Sequence, residues 1–457
     1  MGIINTIRGW ISMLTKSKSK EEFNIEPISS EQMQSWINEC VNIYRGNPCW
    51  IDESDNIDTI GFAKALCSET ARLTTMGIGI KFDGSARAEW LQKQIEKIYF
   101  QLRNWVEYGC AYGTVILKPN GDSIDLYTPD MFEIVHVNNG RIDGVIFHNW
   151  KQKDDKWFTR LEYHRFENDL YMITNKCYKG DRPDDLHDKV DIAETPWSNL
   201  AEEVAIANVE NTIFGVLRTP QANNIDLDSP YGLPIFAEAV QELRDLDIAY
   251  SRNAKEIKDS KRTVLLDTDR LLPYGTVGGL DKRSLPDYIK LVDGDTSTGS
   301  DVYHEINPTL NTDVRLTGIN ALLSQIGYKV GFSNGYFVFN ESTGIQTATQ
   351  VEADQQRTIQ FIKDVRDKLE DCLGGLIYAL NVFADLYNLA PSGTYEVAYD
   401  FGDITYNREE DRSRWWGYVQ AGKVPAWKFF AKFEGMTEEE AKEMTAEAQP
   451  TGQGLFQ

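Results

Sequence analysis

The sequence predicts an α+β fold, and three observations carry that prediction. Apolar residues recur at helical spacing from 29 to about 110. The period changes to two from 111 to about 218. Helical spacing then returns over long stretches near 233–260, 313–330 and 346–388. Hydrophobic residues make up 41% of the 457 and charged residues 26%, a globular composition that excludes a collagen-like or disordered chain.

The elements follow in order. Ser29 and Gln32 are spaced as a capping box ahead of Trp36, Ile37 and Cys40, which share one helical face. A second helix is expected over about 58–75, with Phe62, Leu66 and Leu73 inward. A third over about 85–108 carries the stripe Leu91, Ile95, Ile98, Leu102, Trp105 and Val106 and ends at Gly109. The segments TVILKP, IDLYTP, EIVHV, GVIFHNW, FTRLEYHRF and DLYMITNKCY read as successive antiparallel strands. NGD at 120, NNG at 138 and KDDK at 153 supply the turns between them. Residues 180–205 are acidic and irregular, which predicts an exposed loop, and SPYG at 229 predicts a turn.

One long helix is expected over 233–260, on the order of 40 Å in length, with Phe236, Val240, Leu243, Leu246, Tyr250, Ala254 and Ile257 in a narrow stripe. Short strands, TVLLD and YIKLVD the clearest, occupy 262–306. A helix over 313–330 follows through Leu316, Ile319, Leu322, Leu323 and Ile326, then the loop GFSNGYFVFNESTG. The helix over 346–388 contains Gly374 and Gly375. Each costs about 1 kcal/mol against alanine in a helix, so a kink or a close backbone contact is expected there. A strand over 394–401 and helices in 407–421 and 437–446 complete the chain, the last opened by a Thr437/Glu440 capping box.

The first residues, MGIINTIRGWISMLTKSKSK, form an amphipathic helix through Ile3, Ile4, Ile7, Trp10, Ile11 and Leu14, and match the myristoylation pattern formally. Arg8 breaks the apolar stretch, which argues against a signal peptide. The stripe fits docking on a partner or neighbouring subunit, with membrane attachment as the alternative. The Lys/Ser run at 16–20 reads as a solvated hinge. No apolar run approaches the ~18 residues of a membrane span. The six cysteines form no CxxC pair and fit reduced, intracellular thiols. The five histidines are too dispersed for a His-rich metal site. The formal charge of −23 argues against a simple nucleic-acid binder, though not against a protein past which DNA slides.

Motifs for catalysis fail on context. Gly331-Phe332-Ser333-Asn334-Gly335 matches the nucleophile elbow, but a helix precedes it, an extended YFVF run follows, and no histidine lies after His304. Asp293, Asp295 and Ser297 begin like a calcium loop, yet Thr298 and His304 stand where glycine and glutamate belong. No Walker A sequence exists, and the glycines of GTVGGL at 275–280 lack a strand–helix context. No catalytic, cofactor-binding or metal-ligating residue is therefore assigned, and no enzyme activity is expected.

The order of segments resembles the portal proteins of tailed double-stranded DNA bacteriophages, most closely the branch in long-tailed phages of Gram-positive hosts. The resemblance is carried by PQANNIDLDSPYGLPIFAEAVQELRDLDIAYSRNAKEIKDSKRTVLL at 220–266 and TGIQTATQVEADQQRTIQFIKDVRDKLEDCLGGLI at 343–377. LEYHRFENDLYMITNKCYKG at 161–180 and the N-terminal MGIINTIRGWI also contribute. It implies a portal fold. Residues 1–28 would be an N-terminal arm, 29–232 the wing, 233–261 and 309–330 the two stem helices, and 262–308 the clip. Residues 331–346 would be a tunnel loop, 347–390 a long kinked wing helix, and 391–457 the crown and tail. It further implies a homo-oligomeric ring, usually a dodecamer, at a capsid vertex of the virion, assembled in the host cytoplasm. DNA would pass through it on packaging and ejection, and its partners would be the terminase, the head–tail connector, and the major capsid and scaffolding proteins. No cofactor is implied, since a separate ATPase does the work. The tunnel-loop residues would be Phe332, Asn334, Tyr336, Phe337, Phe339 and Glu341, forming a mobile gate. Leu243, Leu246, Tyr250, Ile319 and Leu322 would pack the stem. The competing readings are another capsid or tail component, or a serine hydrolase using Ser333.

Overall fold

The computed structural model describes residues 18–26, 28–51, 57–183, 185–260, 263–267, 289–292, 303–306, 311–338, 348–402 and 408–447. It is 47% helical and 23% strand, an α+β protein. The chain divides into two units, one of residues 1–75 with 79–399 and one of 76–78 with 400–457.

In the larger unit, helix α1 (Glu31–Tyr44) is capped by Ser30 rather than Ser29. The Ser30 hydroxyl accepts from Met33 N at 3.2 Å, while Ser29 accepts from the Gln34 side chain at 2.5 Å. Helix α2 (Phe62–Thr75) begins later than 58, because Gly61 holds φ at 66° just before it. The expected helix over 85–108 is two, α3 (Ala86–Glu96) and α4 (Tyr99–Tyr112), broken at Lys97–Ile98. The apolar stripe is buried on both sides of the break, so the stripe alone did not establish one continuous helix. Helix α4 ends at Gly113, at φ 78°, not at Gly109, which lies inside it against Leu217. A strand absent from the sequence reading, β1 (Gly79–Gly84), pairs with β14 (Tyr395–Asp400).

The period-two region forms two sheets. Strand β2 (Thr114–Asn120) lies between β3 (Ser123–Tyr127) and β10 (Gly215–Arg218), antiparallel to both. The second sheet runs β4 (Phe132–Asn138), β5 (Arg141–Lys153), β6 (Lys156–Glu167), β7 (Leu170–Gly180) and β8 (Asp188–Val190), with β9 (Glu203–Ile206) also on β7. Two-residue turns fix its register: Asn139-Gly140, Asp154-Asp155 and Asn168-Asp169 all have positive φ. That is the turn whose twist matches a hairpin. Residues 180–205 are therefore not a free loop. They supply β8, a 3₁₀ turn over Ile192–Glu194, buried Trp197 and most of β9. SPYG is no turn either; Ser229, Pro230 and Tyr231 are buried in irregular backbone.

A buried ionic cluster ties the two sheets together. Glu162 of β6 accepts from Lys118 of β2 at 2.6 Å, Arg160 at 2.9 Å and Asn149 at 3.2 Å. Its other oxygen lies 2.9 Å from His164 Nε2, and His164 Nδ1 lies 2.9 Å from the Tyr171 hydroxyl. Residues 18–26 lie on the sheet, correcting the solvated-hinge expectation for 18–20. Ser19 is fully buried 3.3 Å from His148 Nε2, Lys18 sits over the Tyr178 ring, Tyr178 donates to Glu22 at 2.8 Å, and Phe23 packs on Tyr163.

Helix α7 (Ala348–Leu386) is the long helix, about 58 Å at 1.5 Å per residue. Arg366 donates to the carbonyls of Leu73 and Thr74, satisfying the C-terminal end of α2. The backbone contact expected of the glycine pair occurs at Gly375, where a Cβ would come within 3.0 Å of Phe214 O. Across from it, a Cβ on Gly215 would strike Cys372 O at 2.1 Å. Arg87 of α3 closes the far end. It is 1% exposed and donates to Asn381 O, Ala390 O and Pro391 O and to Asp385 at 2.6 Å.

In the smaller unit, helices α8 (Arg408–Gln420), α9 (Ala426–Phe433) and α10 (Glu438–Glu447) surround an aromatic cluster of Trp415, Trp416, Phe429 and Phe433. Helix α9 was not read from the sequence. The capping box is as expected, with Thr437 N donating to Glu440 at 2.9 Å and Glu440 N to Thr437 Oγ at 3.3 Å.

Candidate functional site

Two antiparallel helices bracket a small sheet, and a loop joins them to α7. Helix α5 (Val240–Asp259) is shorter than the 233–260 expected, about 30 Å. Residues 233–236 are buried without helical structure, and Ala237–Ala239 make a 3₁₀ turn. Helix α6 spans Thr312–Val330. Between them β11 (Thr263–Asp267) pairs in parallel with β12 (Ile289–Val292) and antiparallel with β13 (Tyr303–Ile306).

The pair is held by charge at both ends. Lys329 reaches Glu242 at 2.5 Å and the Glu238 carbonyl at 3.0 Å, and Gln325 donates to Glu242 at 3.1 Å. At the other end Arg315 pairs with Glu256, which also accepts from Asn311 N at 3.3 Å. Sequence reasoning missed these partners, because their separations in the chain encode no pairing.

Leu243, Leu246 and Ile319 are buried and Leu322 half-buried, as expected of packing residues. Tyr250 is not: it is 47% exposed. The inward face of α5 runs instead through Asp247 and Ser251. Asp247 accepts from Trp50 Nε1 at 2.9 Å and Ile60 N at 3.0 Å. Ser251 Oγ accepts from Asp58 N at 2.9 Å and bonds to Asp58 O at 3.1 Å. Burial raises the Asp247 carboxyl above its ordinary value, and these hydrogen bonds oppose the rise. Two polar residues on the inward face hid it from a hydrophobic stripe search. Ile257, Val314 and Tyr328 join Tyr250 as exposed large apolar side chains of this helix pair.

The described part of the loop, 331–338, is anchored. Gly331 sits at φ 122°, where a Cβ would meet the Phe361 ring at 2.7 Å. Phe332 is fully buried and packs on Tyr336, Phe337 and Phe361, while Phe337 also meets Phe62 edge-on. Tyr336 donates to Glu69 at 2.5 Å, and burial with Glu69 beside it pushes that phenol up to about 12. Asn334 is exposed. The expected extended YFVF run is a turn over its first two residues. Phe339 and Glu341 lie outside the described residues, as do the N-terminal stripe over 1–17, the Asp293–Ser297 turn and the GTVGGL stretch.

Ser333 is buried and bonded to Thr358 of α7: their hydroxyls lie 3.0 Å apart, and Ser333 N donates to Thr358 Oγ1 at 2.8 Å. Among the described residues no group of three His, Cys, Asp or Glu is placed to hold a metal ion, and no helix is long and apolar enough to cross a membrane.

No protein-family model matches the chain, and no curated protein matches its sequence.

Proposed function

We propose that the chain is a portal subunit, which forms a ring through which phage DNA is packaged and ejected and on which the terminase and head–tail connector dock. The observation that carries this reading is the braced helix pair α5/α6. It brackets the three-stranded sheet and leaves Tyr250, Ile257 and Val314 largely exposed in a single subunit. Tyr250 and Ile257 are seven residues apart and so share a helical face. Side chains of this size on one element favour a protein partner, and in a ring the partner is the next copy.

In this reading α5 and α6 are the stem, β11–β13 the clip and α7 the wing helix behind the tunnel loop. The charge supports it. A wall built from chains of −23 repels phosphate, so DNA is held weakly and moves.

The test is mass photometry with negative-stain imaging of the purified full chain. Rings with a central hole, usually of twelve subunits, are expected. A monomer at all concentrations, or an assembly with no hole, overturns the reading.

A further inference from the structure

A second feature stands apart from the helix pair. A cleft of about 680 Å³ opens between the β4–β5 hairpin tip, strand β10 and helix α7, and three cationic residues are among those that line it. Arg141 is the first residue after the Asn139-Gly140 turn, Arg218 is the last residue of β10, and Lys368 is on α7. Their charges are poorly compensated. The Arg141 side chain makes no hydrogen bond or ion pair among the described residues. Among the described residues the Arg218 side chain donates only to the Pro230 carbonyl, at 3.2 Å. Lys368 has Asp371, the one carboxylate of the lining among the described residues, at a loose 3.9 Å.

The chain carries 70 acidic against 47 basic residues. Three under-compensated cations gathered from three elements are therefore not a by-product of composition. Their backbones come from a rigid scaffold: a two-residue turn, a strand paired to β2, and a helix locked to that strand through Gly215 and Gly375. The neighbouring Gly374 lines the cleft, and a Cβ there would meet nothing within 4 Å. The space is of the size class that holds small ligands.

We propose that this cleft binds a phosphate-bearing ligand. Guanidinium forks match phosphate oxygens in pairs, and Lys368 supplies a point charge. The ligand is a free polyphosphate or nucleotide, or the phosphate backbone of a nucleic acid. The site is complete in one subunit, so it does not depend on ring formation.

The experiment is calorimetric titration of the full chain with inorganic pyrophosphate and, separately, with a single-stranded oligonucleotide. Two variants serve as controls. The exposed double substitution R141E/K368E inverts the charge, and G374L fills the cleft while improving helix propensity. Saturable pyrophosphate binding, weakened at least about tenfold in both variants, is expected. Pyrophosphate without oligonucleotide assigns the cleft to small phosphates; binding of both, each lost in the variants, assigns it to a nucleic-acid backbone. No saturable binding of either probe up to about 1 mM, or binding undiminished in the variants, overturns the proposal.

Discussion

Taking away the Glu162 carboxylate would leave Lys118 and Arg160 buried without their counter-charge, and an unpaired buried ion costs several kcal/mol. Burial alone would raise the Glu162 pKa, but Arg160, Lys118 and the His164 hydrogen bond outweigh it and hold the carboxyl well below its usual range. Its contribution is therefore complete above the ordinary glutamate value and is lost as pH falls through the folded value. Burial holds His164 below its ordinary value, against the pull of Glu162. The unfolded chain thus takes up a proton first as pH falls below about 6.5. Both shifts make acid destabilising. The melting temperature, followed by circular dichroism from about pH 7 to pH 4, should fall, and Glu162→Gln should be less stable at neutral pH. Superimposable profiles would refute the linkage. Arg160, Glu162 and His164 alternate along β6, and such an alternating polar face ordinarily marks solvent. Only strand β2 of the other sheet, which carries Lys118, shows that this face is inside, which is why the sequence did not disclose it.

At the level of elements, periodicity succeeded where a segment keeps a mostly apolar stripe or turn residues mark its ends. The strands between 114 and 180, the helix over 312–330 and the long helix α7 were all legible, the strands because their turn residues fix register as well. It failed where polar groups take the inward positions, as at Asp247 and Ser251, and where an apolar stripe spans two helices, as at Lys97–Ile98. The loop was legible as a joint between helices but not as an anchored one, because its partners Phe62, Glu69, Thr358 and Phe361 lie far away in the chain. The exposed position 250 separates assembly from folding. Leu246 is fully buried, so a charge there would disturb the subunit itself. Tyr250→Asp should change subunit stability by less than about 0.5 kcal/mol and sharply reduce ring yield in mass photometry. Rings at normal yield would remove this face of α5 from the interface.

For the whole molecule, net charge sets the terms of association. Copies bearing −23 each repel one another on approach, and the Debye length of about 10 Å at 0.1 M salt shortens as salt is added. Ring formation should therefore be promoted by moderate salt, read as a shift of the mass distribution toward the assembled species. An assembly that salt instead disperses would mean that ionic contacts between copies dominate. The formal charge needs only the sequence, whereas the cationic cleft within it does not show in the composition: Arg141, Arg218 and Lys368 meet only once hairpin, strand and helix are in place.

The contact of Gly215 with Gly375 also has a consequence for synthesis. Strand β10 leaves the ribosome about 150 residues before the stretch of α7 that covers it. At 5–20 residues per second that interval is roughly 8 to 30 s. Through all of it Ile206, Val209 and Ile213, which pack with Ala379 of α7 in the finished protein, lack that cover. The nascent chain thus carries an open apolar seam for far longer than a hairpin takes to form, so a chaperone that shelters it is expected to decide the yield of soluble subunit.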